Sequence, residues 1–216
     1  MAIRKFSASS LTNPNSKSSK LWDQETTLGT FESIATATVT VAQGSVTFSN
    51  IPQGYTHLQI RSYWGLTDTG NNTWLNAQFN GDTGSNYSYH AIRSNPSGFV
   101  MSASYGTTRV SLGADNLGSA TSYGVSVADI LDYSSTTKNK TTKAFAGQDT
   151  TGVGTTNLWS GMWNNVNPIT SIVIATDAST FRVGSIFSLY GSIGSRGRNA
   201  PYLAEIITRL LCASFF

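Results

Sequence analysis

The chain has 216 residues, of which only 12% are charged and 39% hydrophobic, and its formal net charge is +3. Charged residues therefore have about half their usual share in a globular domain, and the few surplus charges lie near the two ends, too few to favour a nucleic-acid partner. The single cysteine, Cys212, excludes an internal disulfide and a Cys-based zinc site. No run approaches the roughly 18 apolar residues of a membrane span, so no membrane contact is expected.

The beginning of the chain predicts an extended arm. Residues 7–20 consist largely of Ser, Asn, Thr and Lys and have almost nothing to bury. We interpret residues 1–30 as an attachment arm, although Trp22 could instead fold back and cap the following domain. Its opening residues lack the apolar run of a signal peptide. The candidate attachment residues are Arg4, Lys5, Phe6, Leu21 and Trp22.

Residues 31–195 predict an antiparallel β-sandwich of jelly-roll type. Short runs that alternate apolar and polar residues are separated by Gly-, Asn- and Ser-rich turns, as in sandwiches and barrels. In 55–64, for example, Leu58 and Ile60 point to one face and Gln59 to the other. The strand candidates are 32–41, 45–49, 55–64, 73–79, 86–93, 107–112, 123–131, 142–147, 157–163, 169–176 and 180–190. The connections 113–122 and 134–141 are expected to be surface loops.

Residues 80–84 (NGDTG) give a strong turn signal, because Asn and Gly tolerate positive φ.

Residues 196–216 predict a basic linker followed by a short amphipathic helix. Asn199 is a suitable N-cap, and Pro201 suits the first turn. The apolar positions follow i, i+3, i+4, i+7, i+8 spacing, which places them on one stripe of a helix. This stripe could cover an edge of the sandwich, but we favour docking on a neighbouring subunit. Its residues are Leu203, Ile206, Ile207, Leu210 and Leu211.

No pattern in the sequence indicates an enzyme or a cofactor. His57 and His90 lie on the polar sides of two strands, where they could meet across a sheet, but nothing beside them completes a metal site. Asp129 and Asp132 are too isolated to argue for paired acid and base work. We therefore expect no catalytic residue and no metal ion.

The aromatic residues are more numerous than a core alone requires. Exposed Trp can stack on sugar rings or anchor a protein interface, while the alternative is that these side chains fill the sandwich interior. The candidates for glycan or interface contact are Trp64, Trp74, Trp159 and Trp163.

Three segments resemble a recurrent signature of small virion structural proteins of tailed bacteriophages, especially those of cyanobacteria and other aquatic bacteria. They are residues 48–61 (FSNIPQGYTHLQIR), 79–88 (FNGDTGSNYS) and 184–191 (GSIFSLYG). The opening residues 3–6 and 18–24 resemble the leader of the same family. The resemblance ends near Gly191, before the predicted helix.

The resemblance implies a β-sandwich component of a tail or neck fibre or a head decoration, assembled in the host cytoplasm and resident in the virion. The expected partners are other virion proteins, bound through the arm, and further copies of the chain, with a trimer favoured. The alternative is a receptor-binding adhesin that recognises polysaccharide on the host surface.

Overall fold

A computed structural model describes residues 31–68, 73–95, 97–115, 122–148, 154–177 and 179–193. This part of the chain is all β, without a helix. Its strands in chain order are β1 (Phe31–Thr38), β2 (Ser45–Phe48), β3 (His57–Trp64), β4 (Trp74–Phe79), β5 (Tyr87–Asn95), β6 (Gly98–Thr107), β7 (Val110–Asp115), β8 (Gly124–Leu131), β9 (Lys140–Gln148), β10 (Thr155–Trp163), β11 (Ile172–Thr176) and β12 (Ile186–Ser192).

The strands form two antiparallel sheets of unequal width. The large sheet has eight strands in the order β1-β12-β3-β8-β9-β10-β5-β6, and the small sheet has four in the order β2-β11-β4-β7. Every strand pair in both sheets is antiparallel. Strand β7 packs against β9 and β10, so the small sheet covers the inner face of the large one.

The core lies between the sheets and follows the alternation of the sequence. In β3, Leu58, Ile60 and Trp64 are buried while Arg61 is exposed. In β4, Leu75, Ala77 and Phe79 are all buried, as their spacing predicts. The residues predicted to face inward in β3 and β4 are therefore buried between two sheets, which confirms the prediction of a sandwich.

The turn between β4 and β5 also forms as predicted. Asn80 and Gly81 have φ values of 54° and 69°, and the amide of Asp82 donates to the carbonyl of Phe79 at 2.9 Å. The side chain of Asn80 has a second role, because its Oδ1 accepts hydrogen bonds from the amides of Thr170 (2.8 Å) and Ser171 (3.1 Å). The same turn therefore holds the segment that enters β11.

Most strands begin or end within a few residues of their predicted bounds, and three departures are larger. Strand β6 was not predicted at all, and β7 continues to Asp115, into a predicted loop. The predicted strand 180–190 is interrupted: Phe181 makes only isolated bridges, a turn follows in which the amide of Ser185 donates to the carbonyl of Arg182, and β12 begins at Ile186. The interruption coincides with Gly184, whose φ of 89° departs from strand geometry.

Candidate functional site

The outer face of the large sheet carries a continuous line of apolar side chains. Strand pairing aligns Val127 with Phe145, Phe145 with Leu158, Leu158 with Ile92 and Ile92 with Met101. We call these five residues the apolar row; it crosses β8, β9, β10, β5 and β6. All five side chains are exposed, Phe145 by 60% and Met101 by 81%. Single exposed apolar residues are ordinary, but an unbroken line of them is typical of an interaction surface.

Most positions beside the apolar row are small or polar, except Val125 and Phe99 at its two ends, which are apolar and exposed. On one side, Asp129 and Lys143 occupy paired positions, and their side chains form an ion pair of 3.5 Å. On the other side lie Gly147, Thr156 and Ser94. A partner that covers the row would therefore have few unpaired charges to desolvate, which is the main cost of burying a polar surface.

The end of the row near β6 opens into a groove of about 460 Å³. Ile92, Met101 and Leu158 supply its apolar lining, while Ala103 and Ser160 are two of the small residues that line it. Because short side chains stand beside long ones, a depression remains into which the apolar side chains of a partner fit.

Strand β6 forms the free edge of the large sheet beside this groove. It pairs only with β5, and Phe99 and Tyr105 are strongly exposed along it. The Nε2 atom of His90 lies 3.1 Å from the hydroxyl of Tyr105, which links the edge strand to its neighbour. Strand β1 forms the opposite edge, at the start of the described chain.

The predicted glycan or interface tryptophans do not form a surface. Trp64, Trp159 and Trp163 are fully buried between the sheets, so for these three the core alternative holds. Trp64 packs against Phe181 with ring centroids 6.2 Å apart. An incoming sugar ring could not reach any of these three indoles.

Trp74 is partly buried. Its ring centroid lies 5.1 Å from that of Trp159 and 6.1 Å from that of Tyr89. The guanidinium carbon of Arg93 lies 5.3 Å from its ring centroid. Other side chains of the protein therefore occupy much of the aromatic surface that a glycan would need.

The histidines and aspartates that were candidates for a metal or catalytic site lie far apart from one another or are bonded to other residues of the fold. His57 on β3 and His90 on β5 lie four strands apart, and the Nδ1 atom of His57 accepts the backbone amide of Asp132 at 2.9 Å. The carboxylate of Asp132 pairs with Lys138 at 2.7 Å. Within the described ranges, no three His, Cys, Asp or Glu residues are grouped in a way that could hold a metal ion.

The attachment arm and the predicted C-terminal helix lie outside the described residues. This applies to Arg4, Lys5, Phe6, Leu21 and Trp22 of the arm and to Leu203, Ile206, Ile207, Leu210 and Leu211 of the helix.

The residues of the apolar row were not among the predicted sites, although the sequence holds a signal for them. Phe145 lies between two inward-facing alanines, so its position in the alternation already assigns it to the outer face. Val127 and Leu158 occupy outward positions in the same way. An apolar residue at an outward position, repeated in neighbouring strands, is the pattern that indicates such a surface.

Comparison with known proteins does not place the chain in a family. No family model matches the sequence, and no curated protein matches it. A crystal structure of a protein of unknown function from Shewanella oneidensis MR-1 aligns with 77% of this chain and 77% of its own, at 9% identity and a TM-score of 0.19. That likeness is too low to support an argument. Among the described residues, no helix is long and apolar enough to cross a membrane.

Proposed function

We propose that the protein is a structural subunit of a tailed-phage virion, of fibre or decoration type, which docks on other virion proteins through its N-terminal arm and self-associates through the sandwich. The observation that carries this proposal is the apolar row on the outer face of the large sheet. A surface of this kind is stabilised when another protein covers it. Burial of each of its partly exposed side chains would contribute on the order of 1 kcal/mol.

The strand order supports a jelly roll as the finer description of the sandwich. Without β5, β6, β9 and β10, two sheets of four remain, in the orders β1-β12-β3-β8 and β2-β11-β4-β7. Numbered one to eight along the chain, these read 1-8-3-6 and 2-7-4-5, the arrangement of a jelly roll. Viral capsid proteins and lectins both use this fold, so the fold is compatible with a virion role without selecting it.

The four additional strands form the part of the sheet that carries most of the apolar row. Phe145, Leu158, Ile92 and Met101 lie on β9, β10, β5 and β6, in that order. Two hairpins thus widen one sheet and present an apolar line on its outer surface, which is more than a monomeric sandwich requires. The arm precedes β1, at the opposite edge, so attachment and self-association would use different sides of the molecule.

The adhesin alternative has less support. Three of its four candidate tryptophans are buried, and Trp74 is packed against Tyr89, Trp159 and Arg93. The apolar row offers aliphatic rather than aromatic surface to a sugar, with Phe145 its single ring.

The mass of the full chain in solution, measured by light scattering after size-exclusion chromatography, tests self-association. We expect an oligomer, with a trimer as the favoured state, and expect Leu158→Glu to shift it towards monomer. Thr141→Glu, an exposed position on the neighbouring strand β9, is the matched control and should leave the mass unchanged. A full chain that stays monomeric at all concentrations would contradict self-association.

Incorporation into particles tests the virion role. We expect the full chain in purified particles, and expect removal of residues 1–25 to abolish incorporation while the sandwich stays folded by circular dichroism. Particles that contain the truncated chain at the normal level would refute the role of the arm, and particles that never contain the full chain would refute the virion assignment.

A further inference from the structure

We propose that the groove at the β6 end of the apolar row receives the C-terminal segment 203–211 of a second copy of the chain. This inference rests on the proposed self-association and names the segment that produces it. The site is the groove of about 460 Å³ on the outer face, and the occupant is the apolar stripe predicted from the sequence after Pro201.

The dimensions of the two partners agree. The apolar row crosses five strands, a width of about 19 Å at the usual strand spacing. A helix of nine residues is about 14 Å long, so it would fill the groove on β10, β5 and β6 and continue along the row onto Phe145 of β9. An amphipathic helix that lays its apolar face in a groove is a common mode of recognition, with anchors at i, i+3, i+4 and i+7.

The chemistry of the two partners also agrees. The predicted stripe contains only Leu and Ile, and the groove presents Ile92, Met101 and Leu158 to it. Glu205 and Arg209 lie off the stripe and would face solvent. In the groove itself, His90 already contacts the hydroxyl of Tyr105. Farther along the row, Asp129 and Lys143 pair with each other, so docking would cover few unpaired polar groups.

The path of the chain favours a second copy as the donor of the segment. Ile193 follows directly after β12, which lies five strand positions from β5 in the large sheet. That separation is about 24 Å at the usual strand spacing. Nine residues, 194–202, connect Ile193 to the stripe, and an unconstrained chain of that length has a root-mean-square span of about 17 Å. Docking within one copy would therefore stretch the connection well beyond this average span, to roughly three quarters of its extended length of about 33 Å.

The proposed contact joins two different surfaces, the groove of one copy and the C-terminal segment of the next. Such a contact is heterologous, and when its rotation closes it produces a ring. A closed ring is the arrangement that a trimer would use, so the inference agrees with the oligomer expected above.

A pair of neighbouring substitutions in the segment tests the stripe. Ile207→Glu places a charge on the apolar stripe, whereas Thr208→Glu places the same charge off it. We expect Ile207→Glu to weaken self-association at least tenfold by analytical ultracentrifugation and Thr208→Glu to leave it nearly unchanged. The β-sheet circular dichroism spectrum should be the same for both.

The single cysteine provides a second test. The chain with native Cys212 is mixed with a chain that carries Cys212→Ser together with Ser88→Cys or Ser94→Cys, which lie on the groove strand β5. On oxidation we expect a disulfide between the two chains for at least one of these positions. Ser188→Cys on the distant strand β12 is the matched control and should give none.

The outcomes separate this inference from the proposed function. If Ile207→Glu self-associates as the wild type does while Leu158→Glu does not, another surface covers the row; the inference is then wrong and the proposed function stands. A disulfide that forms only within one chain, when Cys212 and Ser94→Cys are combined, would also overturn the role of a second copy. A wild-type chain that is always monomeric refutes both.

Discussion

The indole Nε1 of Trp163 donates a hydrogen bond of 2.7 Å to the Oδ2 of Asp82 and thereby joins the end of β10 in the large sheet to the turn after β4 in the small sheet. The Nδ2 atom of Asn86 donates to the same carboxylate, at 3.1 and 2.9 Å to its two oxygens, and so does the amide of Gly84, at 2.9 Å. The carboxylate thus supplies the indole of a buried tryptophan with the acceptor that it needs.

This arrangement predicts a dependence of stability on acid. The hydrogen bond from Trp163, followed by that from Asn86, lowers the pKa of Asp82. Because the pKa in the folded state lies below the unfolded value of about 3.9, Asp82 stabilises the fold above pH 4, and this contribution is lost as the pH falls through the folded pKa. We expect Asp82→Asn to be less stable than wild type at neutral pH and to lose less stability towards pH 3. Urea unfolding at pH 7 and pH 3 measures both; equal losses would contradict the prediction.

The position of Gly161 in the middle of β10 has no room for a larger side chain. A Cβ atom at this position would lie 2.2 Å from Cγ2 of Val110 and 2.6 Å from Oγ1 of Thr142, so the two sheets would have to move apart. We expect Gly161→Ala to reduce the free energy of unfolding by about 1–3 kcal/mol or more.

Gly147 on β9 provides the matched control for Gly161. A Cβ atom there meets only the carbonyl oxygen of Thr155, at 3.5 Å, which is an ordinary contact. Gly147→Ala should be neutral or slightly stabilising in chemical denaturation. Equal stability of the two variants would show that the close approach at Gly161 relaxes without cost.

Substitution of Lys140 should reduce stability more than substitution of a lysine usually does. Its side chain is buried, and Nζ donates to the carbonyl oxygens of Ser135 (2.8 Å), Lys138 (2.7 Å) and Val166 (3.0 Å). Lys140→Met keeps the aliphatic part but leaves these carbonyls without their donor, which should cost about 1–3 kcal/mol. Lys138→Met removes an exposed ion pair with Asp132 and should cost less than about 1 kcal/mol. Thermal unfolding of both variants compares the two costs, and the reverse order would contradict this role.

Ionisation of the buried Tyr87 should destabilise the fold at alkaline pH. Burial raises its pKa to about 12, because the ionised phenolate would be poorly solvated between the sheets. A raised folded pKa stabilises the fold fully below the unfolded value of about 10, and the contribution is lost as the pH rises towards 12. We expect Tyr87→Phe to show a shallower decline in unfolding free energy between pH 9 and 11.5. The decline should persist in part, because burial, aided by the hydrogen bond to Glu32, raises the pKa of Tyr55 to about 12 as well. An unchanged slope would be evidence against this assignment.

Much of the sandwich could be predicted because its inner faces follow a strict alternation. Tyr87 and Ala91 are buried and His90 and Ile92 exposed, as the period of two requires. The missed strand β6 shows where this signal fails. As an edge strand at the far end of the wide sheet, β6 is exposed on both sides over much of its length, so burial imposes no alternation on its sequence.

The candidate surface could be predicted only in part. The outward positions of Val127, Phe145 and Leu158 follow from alternation within their own strands. Their alignment with Ile92 and Met101 depends on the pairing of β10 with β5 and of β5 with β6. The burial of Trp159 and Trp163 also depends on sheet packing. Alternation places both indoles on one face of β10, but only the second sheet that covers this face makes them buried.

By itself, the sequence determined which side chains of most strands point together and where several turns reverse the chain, because both are local properties of the backbone. Tertiary structure alone decided which strands are neighbours, including the insertion of β9, β10, β5 and β6 beyond β8. Alternation assigns a residue to a face but carries no information about the partner strand. The apolar row therefore exists only after strands from distant parts of the chain have paired in register.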